Sequence, residues 1–433
     1  MRVCVYGLWH LGTVTVACLA EHFQVVGYDP DRTTISKLRA SQPPVFEPGL
    51  PELVQAGTAA GRLSLANSLK EALQGADVIW VTFDTPVDDN DVADTEFVWR
   101  QVETLFPHLP DGVLLLISSQ VPVGFTGRIE AAFQSAHRGR RVTFAYSPEN
   151  LRLGKALDAF RNPSRIVVGV RNQADQARLA SLLSPFCKTI EWMSVESAEM
   201  TKHALNAFLA TSITFANEVA VLCEKTGADA KEVERGLKSD PRIGQKAYLS
   251  PGGAFAGGTL ARDVVFLTRI GKCTDVPTYL LSAILASNDE HKAWPRRKLE
   301  EVLGDLSGKT VAVLGLTYKP GTDTLRRSSA VELCIWLTHR GAQVQAHDPA
   351  VTELPFELRQ HIRLCPTPRE ALYRADAMVV ATEWPLFRNL SSEDLLAEMA
   401  MPVVLDPNRF LDSTLSGDSR LKYVAVGKPG KVA

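Results

Sequence analysis

The clearest pattern of apolar and polar positions in the chain is a helical one near its middle. No glycine or proline interrupts residues 196–225. Apolar residues recur there at intervals of three and four, which is typical of a stripe along one face of an α-helix. They are Leu205, Phe208, Leu209, Ile213, Ala216, Val219, Ala220 and Leu222. A single helix of about 45 Å is predicted, long enough to connect two lobes and to offer a face to another copy of itself.

The N-terminal half alternates short apolar runs with helical stretches. Residues 2–7 predict a buried parallel strand, a helix follows through about residue 21, and a second strand at 24–28 ends at Asp29. Further strands are predicted at 62–65, 77–82, 113–118, 141–146 and 166–169. This alternation is typical of an α/β fold with a doubly wound parallel sheet.

The C-terminal half repeats this beginning. Residues 310–316 resemble 2–8, and 345–349 resemble 26–30, with later strands predicted at 377–382, 403–406 and 423–426. The sequence therefore predicts two Rossmann-like doubly wound domains joined by a long central helix. The expected divisions are 1–193, 194–300 and 301–433, of which the middle part is helical.

Composition narrows the classes of function. The formal net charge is −2, with 22% charged residues, so the chain lacks the basic footprint of a nucleic-acid-binding protein. Met1 leads almost directly into the first strand and no apolar run is expected to reach membrane-spanning length, which favours a cytoplasmic protein without a membrane partner. The seven cysteines are scattered and form no CxxC pair, so neither a disulfide framework nor a metal site is predicted.

The first strand, helix and strand predict a dinucleotide site. Gly7 and Gly12 bracket the turn that opens the helix, whose N-terminal N–H groups can receive a pyrophosphate. Asp29, at the end of the second strand, can accept hydrogen bonds from ribose hydroxyls and favours NAD over NADP. Trp9 stands where the pattern has its second glycine, and its side chain limits the approach of the backbone to the phosphates. A purely structural turn is the alternative.

Polar loops follow three of the predicted strands, at 84–86, 118–124 and 147–152. Each taken alone is compatible with simple turn chemistry. Because the carboxyl ends of parallel strands meet at one edge of a sheet, together they predict a cleft.

Further polar groups lie in the middle and C-terminal parts. Lys202 and Asn206, four residues apart, share a side of the long helix, and a solvated pair is the alternative. Four glycines within residues 252–258 precede Asp263, which is expected at the mouth of the next helix, where it could be only an N-cap. Residues 319–328 carry three cations and suit a diphosphate or carboxylate, or form a solvated basic turn.

In their order along nearly the whole chain, these motifs resemble the UDP-glucose/GDP-mannose dehydrogenase family. The residues that carry the resemblance are Gly7 to Gly12 with Asp29, 46–50, 84–86, 121–124, 147–149, 198–206 with Asn217 and Glu218, 257–258 with Asp263, 319–328 and 382–384. The resemblance implies two Rossmann domains flanking a dimerising helix, hence a homodimer. It also implies oxidation of C6 of a UDP- or GDP-linked sugar to a carboxylate by two NAD⁺.

The resemblance also implies roles for individual residues. Lys202 would stabilise oxyanion charge, Asn206 would orient the sugar or a water, and Asp263 would assist proton transfer. Glu149 would line the sugar site, and Thr259 stands at the catalytic nucleophile's position. The implied cofactor-binding residues are Gly7, Trp9, His10, Leu11, Gly12, Asp29, Thr85, Pro86, Ser119 and Gln120. The implied substrate-binding residues are Glu149, Leu151, Lys202, Asn206, Arg242, Tyr248, Gly257, Lys319 and Arg326.

The chain departs from the family pattern at chemically important positions. Thr259 replaces the nucleophilic cysteine, Gln120 replaces a threonine, and Leu153 replaces a second acid. The thiol serves the second oxidation by adding to the C6 aldehyde, and a threonine hydroxyl is far too weakly acidic to substitute for it. The first oxidation needs no sulfur, so we expect two-electron alcohol/aldehyde chemistry, with slow oxidation of the aldehyde hydrate left open. The alternatives are a catalytically silent nucleotide-sugar-binding homologue and an epimerase with tightly held NAD.

Overall fold

The computed structural model describes residues 1–88, 93–149, 151–256 and 258–429. The chain forms two compact units, which we call unit 1 (residues 1–205) and unit 2 (residues 206–433). Each unit contains its own sheet, in agreement with the predicted α/β class. The finer division at residues 193 and 300 stays a prediction.

Unit 1 is built on an eight-stranded sheet with the order β3-β2-β1-β4-β5-β6-β7-β8. Its strands are β1 (Arg2–Tyr6), β2 (Gln24–Tyr28), β3 (Leu63–Leu65), β4 (Val78–Val81), β5 (Leu114–Ile117), β6 (Thr143–Tyr146), β7 (Ile166–Gly169) and β8 (Ile190–Met193). Strands β1 to β6 are parallel, and β7 runs antiparallel to β6. The sequences of β4 and β5 are wholly apolar and fully buried, as expected for strands covered on both faces. The carboxyl ends of β4, β5 and β6 therefore lie side by side, and the three polar loops follow them as predicted.

Helices cover both faces of this sheet. They are α1 (His10–Leu19), α2 (Arg32–Arg39), α3 (Leu50–Ala59), α4 (Leu69–Leu73), α5 (Thr95–Leu105), α6 (Phe125–Ala136), α7 (Ala156–Arg161), α8 (Gln173–Leu183) and the start of α9 (Val195–Thr226). Along β1, Val3 and Val5 belong to one hydrophobic cluster while Cys4 and Tyr6 belong to another. The alternation places one core on each face of the sheet.

Unit 2 contains the rest of α9, four helical segments that follow it, and a six-stranded parallel sheet with the order β11-β10-β9-β12-β13-β14. The strands are β9 (Thr310–Leu314), β10 (Gln343–His347), β11 (Arg363–Leu364), β12 (Ala377–Val380), β13 (Val403–Leu405) and β14 (Lys422–Val424). The helices are α10 (Ala230–Ser239), α11 (Thr259–Cys273), α12 (Tyr279–Lys292), α13 (Trp294–Leu303), α14 (Ser329–His339), α15 (Pro368–Leu372), α16 (Ser392–Glu398) and α17 (Asp412–Leu415). The chain moves outward from β9 to β11 and then restarts at β12 on the other side of β9. The topological switch point therefore lies between β9 and β12.

The predicted central helix is confirmed as α9, a helix of 32 residues. An 18-residue window within it has a mean hydropathy of 1.4, enough by length and composition for a membrane span. The expectation that no segment reaches this length is therefore wrong. The core helix of a soluble protein meets the same criterion, and α9 buries polar side chains including Glu199, His203 and Asn217 against the protein.

Candidate active site

The turn between β1 and α1 has the geometry that the glycine pattern predicted. Gly7 adopts a φ of 97°, and a Cβ on Gly12 would lie 1.8 Å from the Gly7 carbonyl oxygen, so neither position accepts a side chain without rearrangement. Trp9 is the N-cap of α1 and is 50% exposed. The predicted steric obstacle therefore sits at the phosphate turn with its ring partly in solvent.

Asp29 follows β2 and is oriented by this turn. Its Oδ2 accepts a hydrogen bond from Leu8 N at 2.7 Å, and its Oδ1 accepts one from Asp31 N at 2.8 Å. Burial raises the pKa of the carboxyl group, and the two backbone N–H groups partly oppose that rise. A carboxylate has about four acceptor positions, so Asp29 keeps capacity for ribose hydroxyls.

Four of the implied cofactor-binding residues lie in the loops after β4 and β5, namely Thr85, Pro86, Ser119 and Gln120. Thr85 Oγ1 donates to the Gln120 carbonyl at 2.6 Å, which ties the two loops together. The neighbouring Ser119 Oγ is buried and has no hydrogen-bond partner among the described residues, so it is suited to a ligand group. Glycines that permit close approach, a part-exposed acid and an unsatisfied hydroxyl fit a bound dinucleotide.

Lys202 lies on the first turns of α9 and is only 6% exposed. Its Nζ donates to the Glu149 carbonyl at 2.6 Å and lies 3.5 Å from Glu149 Oε1. Glu149 Oε2 in turn accepts from Leu151 N at 2.8 Å. The ammonium predicted on the helix and the acid predicted in the loop after β6 are thus brought together.

Two further α9 residues, to which sequence reasoning gave no role, bond the loop after β5. Glu199 accepts hydrogen bonds from Gly124 N at 2.5 Å and Thr126 N at 2.9 Å, at the N-terminus of α6, and burial raises its pKa. His203 Nε2 lies 2.9 Å from the Val121 carbonyl oxygen. The sequence signal that could have identified Glu199 and His203 is their position within three residues of Lys202. One turn of α9 therefore holds the loops that follow both β5 and β6.

Asn206 lies one helical turn beyond Lys202, and its Nδ2 donates a hydrogen bond to Asp263 Oδ2, with both side chains buried. The N-cap interpretation of Asp263 is wrong, because Gly258 caps α11 and Asp263 lies in the second turn of the helix. Thr259 is the first residue of α11 and is exposed. Its spacing of four from Asp263 places the two residues on one side of α11.

The glycine-rich segment before α11 is held by side chains that the sequence pattern did not identify. Gly252 N donates to Asn217 Oδ1 at 2.9 Å, and Gly253 N donates to Asn408 Oδ1 at 2.6 Å. His291 Nε2 lies 2.8 Å from the Gly252 carbonyl, and burial lowers the pKa of its imidazole. A neutral imidazole that donates from Nε2 satisfies both observations.

A cleft of about 800 Å³ opens in unit 2 beside this segment, at the carboxyl ends of β9 and β12. Tyr248 and Lys319, two of the residues expected to bind substrate, line it. The other charged residues lining it are Lys231, Lys238, Lys292, Arg296, Glu332 and Glu383. A mostly cationic cleft at the topological switch point suits a phosphorylated ligand.

Six described residues that the resemblance implied for substrate binding do not line this cleft, namely Glu149, Leu151, Lys202, Asn206, Arg242 and Arg326. Arg242 is exposed and forms an ion pair with Asp240 at 2.7 Å. Gly257 lies outside the described residues.

The described cysteines of unit 2 lie away from Thr259 along α11 or are buried in hydrophobic clusters. Cys273 is the last residue of α11, fourteen residues after Thr259, and therefore about 21 Å away along the helix. Cys223, Cys334 and Cys365 are buried in hydrophobic clusters. In unit 1, burial raises the pKa values of Cys4 and Cys18 to about 12, so both thiols are neutral at ordinary pH.

Comparison with known proteins agrees with this geometry. Sequence models of the UDP-glucose/GDP-mannose dehydrogenase family match residues 1–187 (NAD binding domain), 196–290 (central domain) and 312–413 (UDP binding domain). A UDP-glucose 6-dehydrogenase of Rhizobium meliloti is 34% identical over 437 residues, covering 99% of this chain and 100% of the relative. The UDP-glucose 6-dehydrogenase TuaD of Bacillus subtilis is 31% identical, covering 99% and 93%.

Solved structures show the same likeness. A UDP-glucose dehydrogenase of Pyrobaculum islandicum superposes with a TM-score of 0.85 at 30% identity, covering 98% of this chain and 97% of the other. A UDP-D-ManNAc dehydrogenase of Pyrococcus horikoshii shares the fold, with a TM-score of 0.84 at 24% identity over 99% of each chain. The glycine turn and Asp29 thus belong to an NAD binding domain. The chain is a member of the UDP-glucose/GDP-mannose dehydrogenase family.

Proposed function

We propose that this protein is an NAD-dependent oxidoreductase that interconverts the C6 alcohol and aldehyde of a nucleotide sugar. The observation that carries the proposal is the exposed residue Thr259, one turn from the buried Asn206–Asp263 pair. In this proposal Asp263 removes the proton and Lys202 balances the alkoxide charge, whereas Thr259 stands where the resemblance implies the thiol that captures the aldehyde.

We propose the following roles for residues of this chain in the first oxidation. NAD⁺ supplies the hydride acceptor when bound. We propose that Asp263, which accepts a hydrogen bond from Asn206, takes the alcohol proton directly or through a water. The buried ammonium of Lys202 offsets the alkoxide charge that develops as that proton leaves. One alcohol thus yields one aldehyde, one hydride and one proton.

The second oxidation lacks its usual route. A thiolate adds to an aldehyde to form a thiohemiacetal, from which hydride can leave, and the resulting thioester is hydrolysed. The Thr259 hydroxyl is a far weaker acid than a thiol, whose pKa is about 8.5. We therefore propose that the aldehyde is the principal product and that any uronate arises slowly from its hydrate.

The direct test is product analysis with purified full-length protein. UDP- and GDP-linked sugars are incubated with NAD⁺, NADH is followed by absorbance, and products are identified by mass spectrometry after hydroxylamine trapping of aldehydes. One NADH per sugar and a trapped aldehyde are expected. Two NADH per sugar and a uronate formed without accumulation of aldehyde would overturn the proposal.

A Thr259→Cys substitution sharpens this test. Restoring a thiol at the exposed start of α11 is expected to raise uronate formation at least about tenfold and to bring the yield toward two NADH per sugar. Thr259→Ser is the matched control, because it keeps a hydroxyl and should behave as the wild type does. Equal uronate rates for all three proteins would show that this position does not limit the second step.

A catalytically silent nucleotide-sugar-binding protein is the second candidate. Trp9 supports it, because a half-exposed indole at the phosphate turn can impede the approach of a dinucleotide. Calorimetric titration separates the two cases: saturable binding of a nucleotide sugar, with neither NAD binding nor turnover, favours the silent protein. Incorporation of solvent deuterium into recovered sugar would instead favour an epimerase.

We also propose that the protein is a homodimer assembled through α9. Phe208, Phe215 and Leu222 are exposed at intervals of seven residues, so they form an apolar stripe along one side of the helix. Tyr279 and Leu280 at the start of α12 are also exposed. Light scattering after gel filtration should give twice the chain mass of 47.3 kDa. Phe215→Glu should yield monomers, whereas Phe356→Glu, at an exposed phenylalanine outside this stripe, should not.

A further inference from the structure

The cleft of unit 2 contains an acid whose position calls for a ligand group other than phosphate. Glu383 follows β12 at the topological switch point and faces a cleft that also holds Lys319 and Arg296. Two other cleft lysines, Lys231 and Lys238, already share the carboxylate of Glu234, at 3.0 and 2.6 Å. Because a phosphate would be repelled by Glu383, this part of the cleft suits a neutral group that donates hydrogen bonds.

Glu383 is held in place by its neighbours. The side-chain amide of Asn408 donates a hydrogen bond to it, and Asn408 Oδ1 accepts from Gly253 N at 2.6 Å. Asn408 is thus fixed at both ends between the acid and the glycine-rich segment. A carboxylate offers about four acceptor positions, so one bond from Asn408 leaves capacity for two further donors.

A comparison of the two sheets indicates which ligand groups donate hydrogen bonds to Glu383. In unit 1 the acid after the second strand, Asp29, is part-exposed beside the cofactor turn. The corresponding acid of unit 2, Asp348, is 3% exposed, and its Oδ2 accepts from Leu316 N at 2.7 Å and from Trp384 Nε1 at 3.0 Å. Unit 2 therefore cannot use that position for a ribose. Trp384 donates to the carboxylate of Asp348, and Glu383, the residue before it, lines the cleft. The same short segment therefore occupies Asp348 and places Glu383 where a ligand can bind.

We infer that Glu383 binds the ribose hydroxyls of the nucleoside diphosphate portion of the substrate. A vicinal diol provides two O–H donors with the spacing that a carboxylate accepts, whereas Lys319 and Arg296 suit the diphosphate. The inference rests on the proposed nucleotide-sugar ligand and adds the residue that recognises its ribose.

The test uses the full chain and nucleotides without a sugar, so it does not depend on turnover. UDP, 2′-deoxy-UDP and 3′-deoxy-UDP are titrated calorimetrically into the wild type, Glu383→Ala and Glu383→Gln. The wild type is expected to bind at least one deoxy nucleotide about tenfold more weakly than UDP, the effect of losing a hydrogen bond to a charged acceptor. Glu383→Ala should bind UDP and the deoxy nucleotides equally, and Glu383→Gln should lie between.

Glu332→Gln is the matched control, because Glu332 also lines the cleft and its substitution should leave the discrimination intact. Thermal unfolding of each variant verifies that the fold is kept. Tight UDP binding without any preference for the ribose hydroxyls, or a preference that persists in Glu383→Ala, overturns the inference alone. Absence of binding by UDP, GDP and their sugars would instead count against the proposed function.

Discussion

The two sheets begin with nearly the same local structure and use it differently. In unit 1, Gly7 N donates to the Tyr28 carbonyl at 2.9 Å, and in unit 2 Gly315 N donates to the His347 carbonyl at 2.8 Å. Both glycines have a positive φ, 97° and 92°, and each is followed by a leucine whose N–H bonds the acid after the second strand. The backbone motif is therefore shared between the two units. It does not decide whether the acid is available to a ligand.

The difference arises in the segment after each glycine. In unit 1, α1 begins three residues after Gly7, so its N-terminus lies at the turn and Asp29 stays part-exposed. In unit 2, α14 begins fourteen residues after Gly315, and Thr317 and Trp384 fill the space beside Asp348 with donors. The motif therefore belongs to an NAD binding domain in unit 1, whereas in unit 2 its acid forms hydrogen bonds within the protein. In this chain the acid stays accessible beside the turn at which the helix starts at once, and it is buried beside the turn at which the helix starts late.

The strongest test of this contrast is Asp348→Ala. Removing a buried carboxylate that accepts from Leu316 N, Thr317 N and Trp384 Nε1 leaves several donors without a partner, each costing about 1–3 kcal/mol. The free energy of unfolding is expected to fall by roughly 3 kcal/mol or more, as measured by urea denaturation. NAD affinity should not change in the fraction that remains folded. A variant as stable as the wild type would mean that Asp348 is not a structural acid.

The counterpart is Asp29→Ala, for which the opposite result is expected. Loss of the acceptor for the ribose hydroxyls should weaken NAD binding by about 10- to 100-fold, while thermal stability changes little because the residue is part-exposed. Calorimetric titration of NAD measures the first quantity and thermal unfolding the second. If Asp29→Ala destabilised the protein as strongly as Asp348→Ala, the proposal that Asp29 binds a ligand while Asp348 stabilises the fold would be wrong.

A smaller effect is expected from pH. Burial raises the pKa of Asp29, and only the ionised carboxylate accepts two hydroxyl donors. NAD affinity should therefore be full above the native pKa and decline as the pH falls through it, beginning at a higher pH than for an exposed aspartate, whose pKa is about 3.9. Titrations of NAD across this range provide the measurement. In Asp29→Asn the acid limb should vanish, and its persistence would assign the titration to another group.

Much of the fold was predictable because each element carries its own pattern. The bounds of β2 and β7 agree with the prediction, and α9 differs by one residue at each end. The strands β8 and β11, with four and two residues, were not predicted. They are too short to show a period, and only pairing with β7 and β10 defines them.

Candidate site residues could be named from the sequence where the chemistry requires a particular side chain in a known motif. Lys202 donates to the Glu149 carbonyl and Asn206 donates to Asp263, and the sequence had singled out all four residues as site candidates without predicting these contacts. The residues that hold the loops were not identified, because Glu199, His203 and Asn408 bond backbone groups that lie tens of residues or more away in the sequence. Such partners leave no spacing in the sequence, so only the folded structure reveals them.

The turn of α9 from Glu199 to His203 places a constraint on how this protein can vary. Glu199, Lys202 and His203 lie within five residues and form hydrogen bonds to two separate loops of unit 1. Adding or deleting one residue at this point would turn the remainder of the helix by about 100°, swinging Asn206 away from the side it shares with Lys202. The length of this segment should therefore be the same in every functioning relative, even where its apolar residues are freely exchanged.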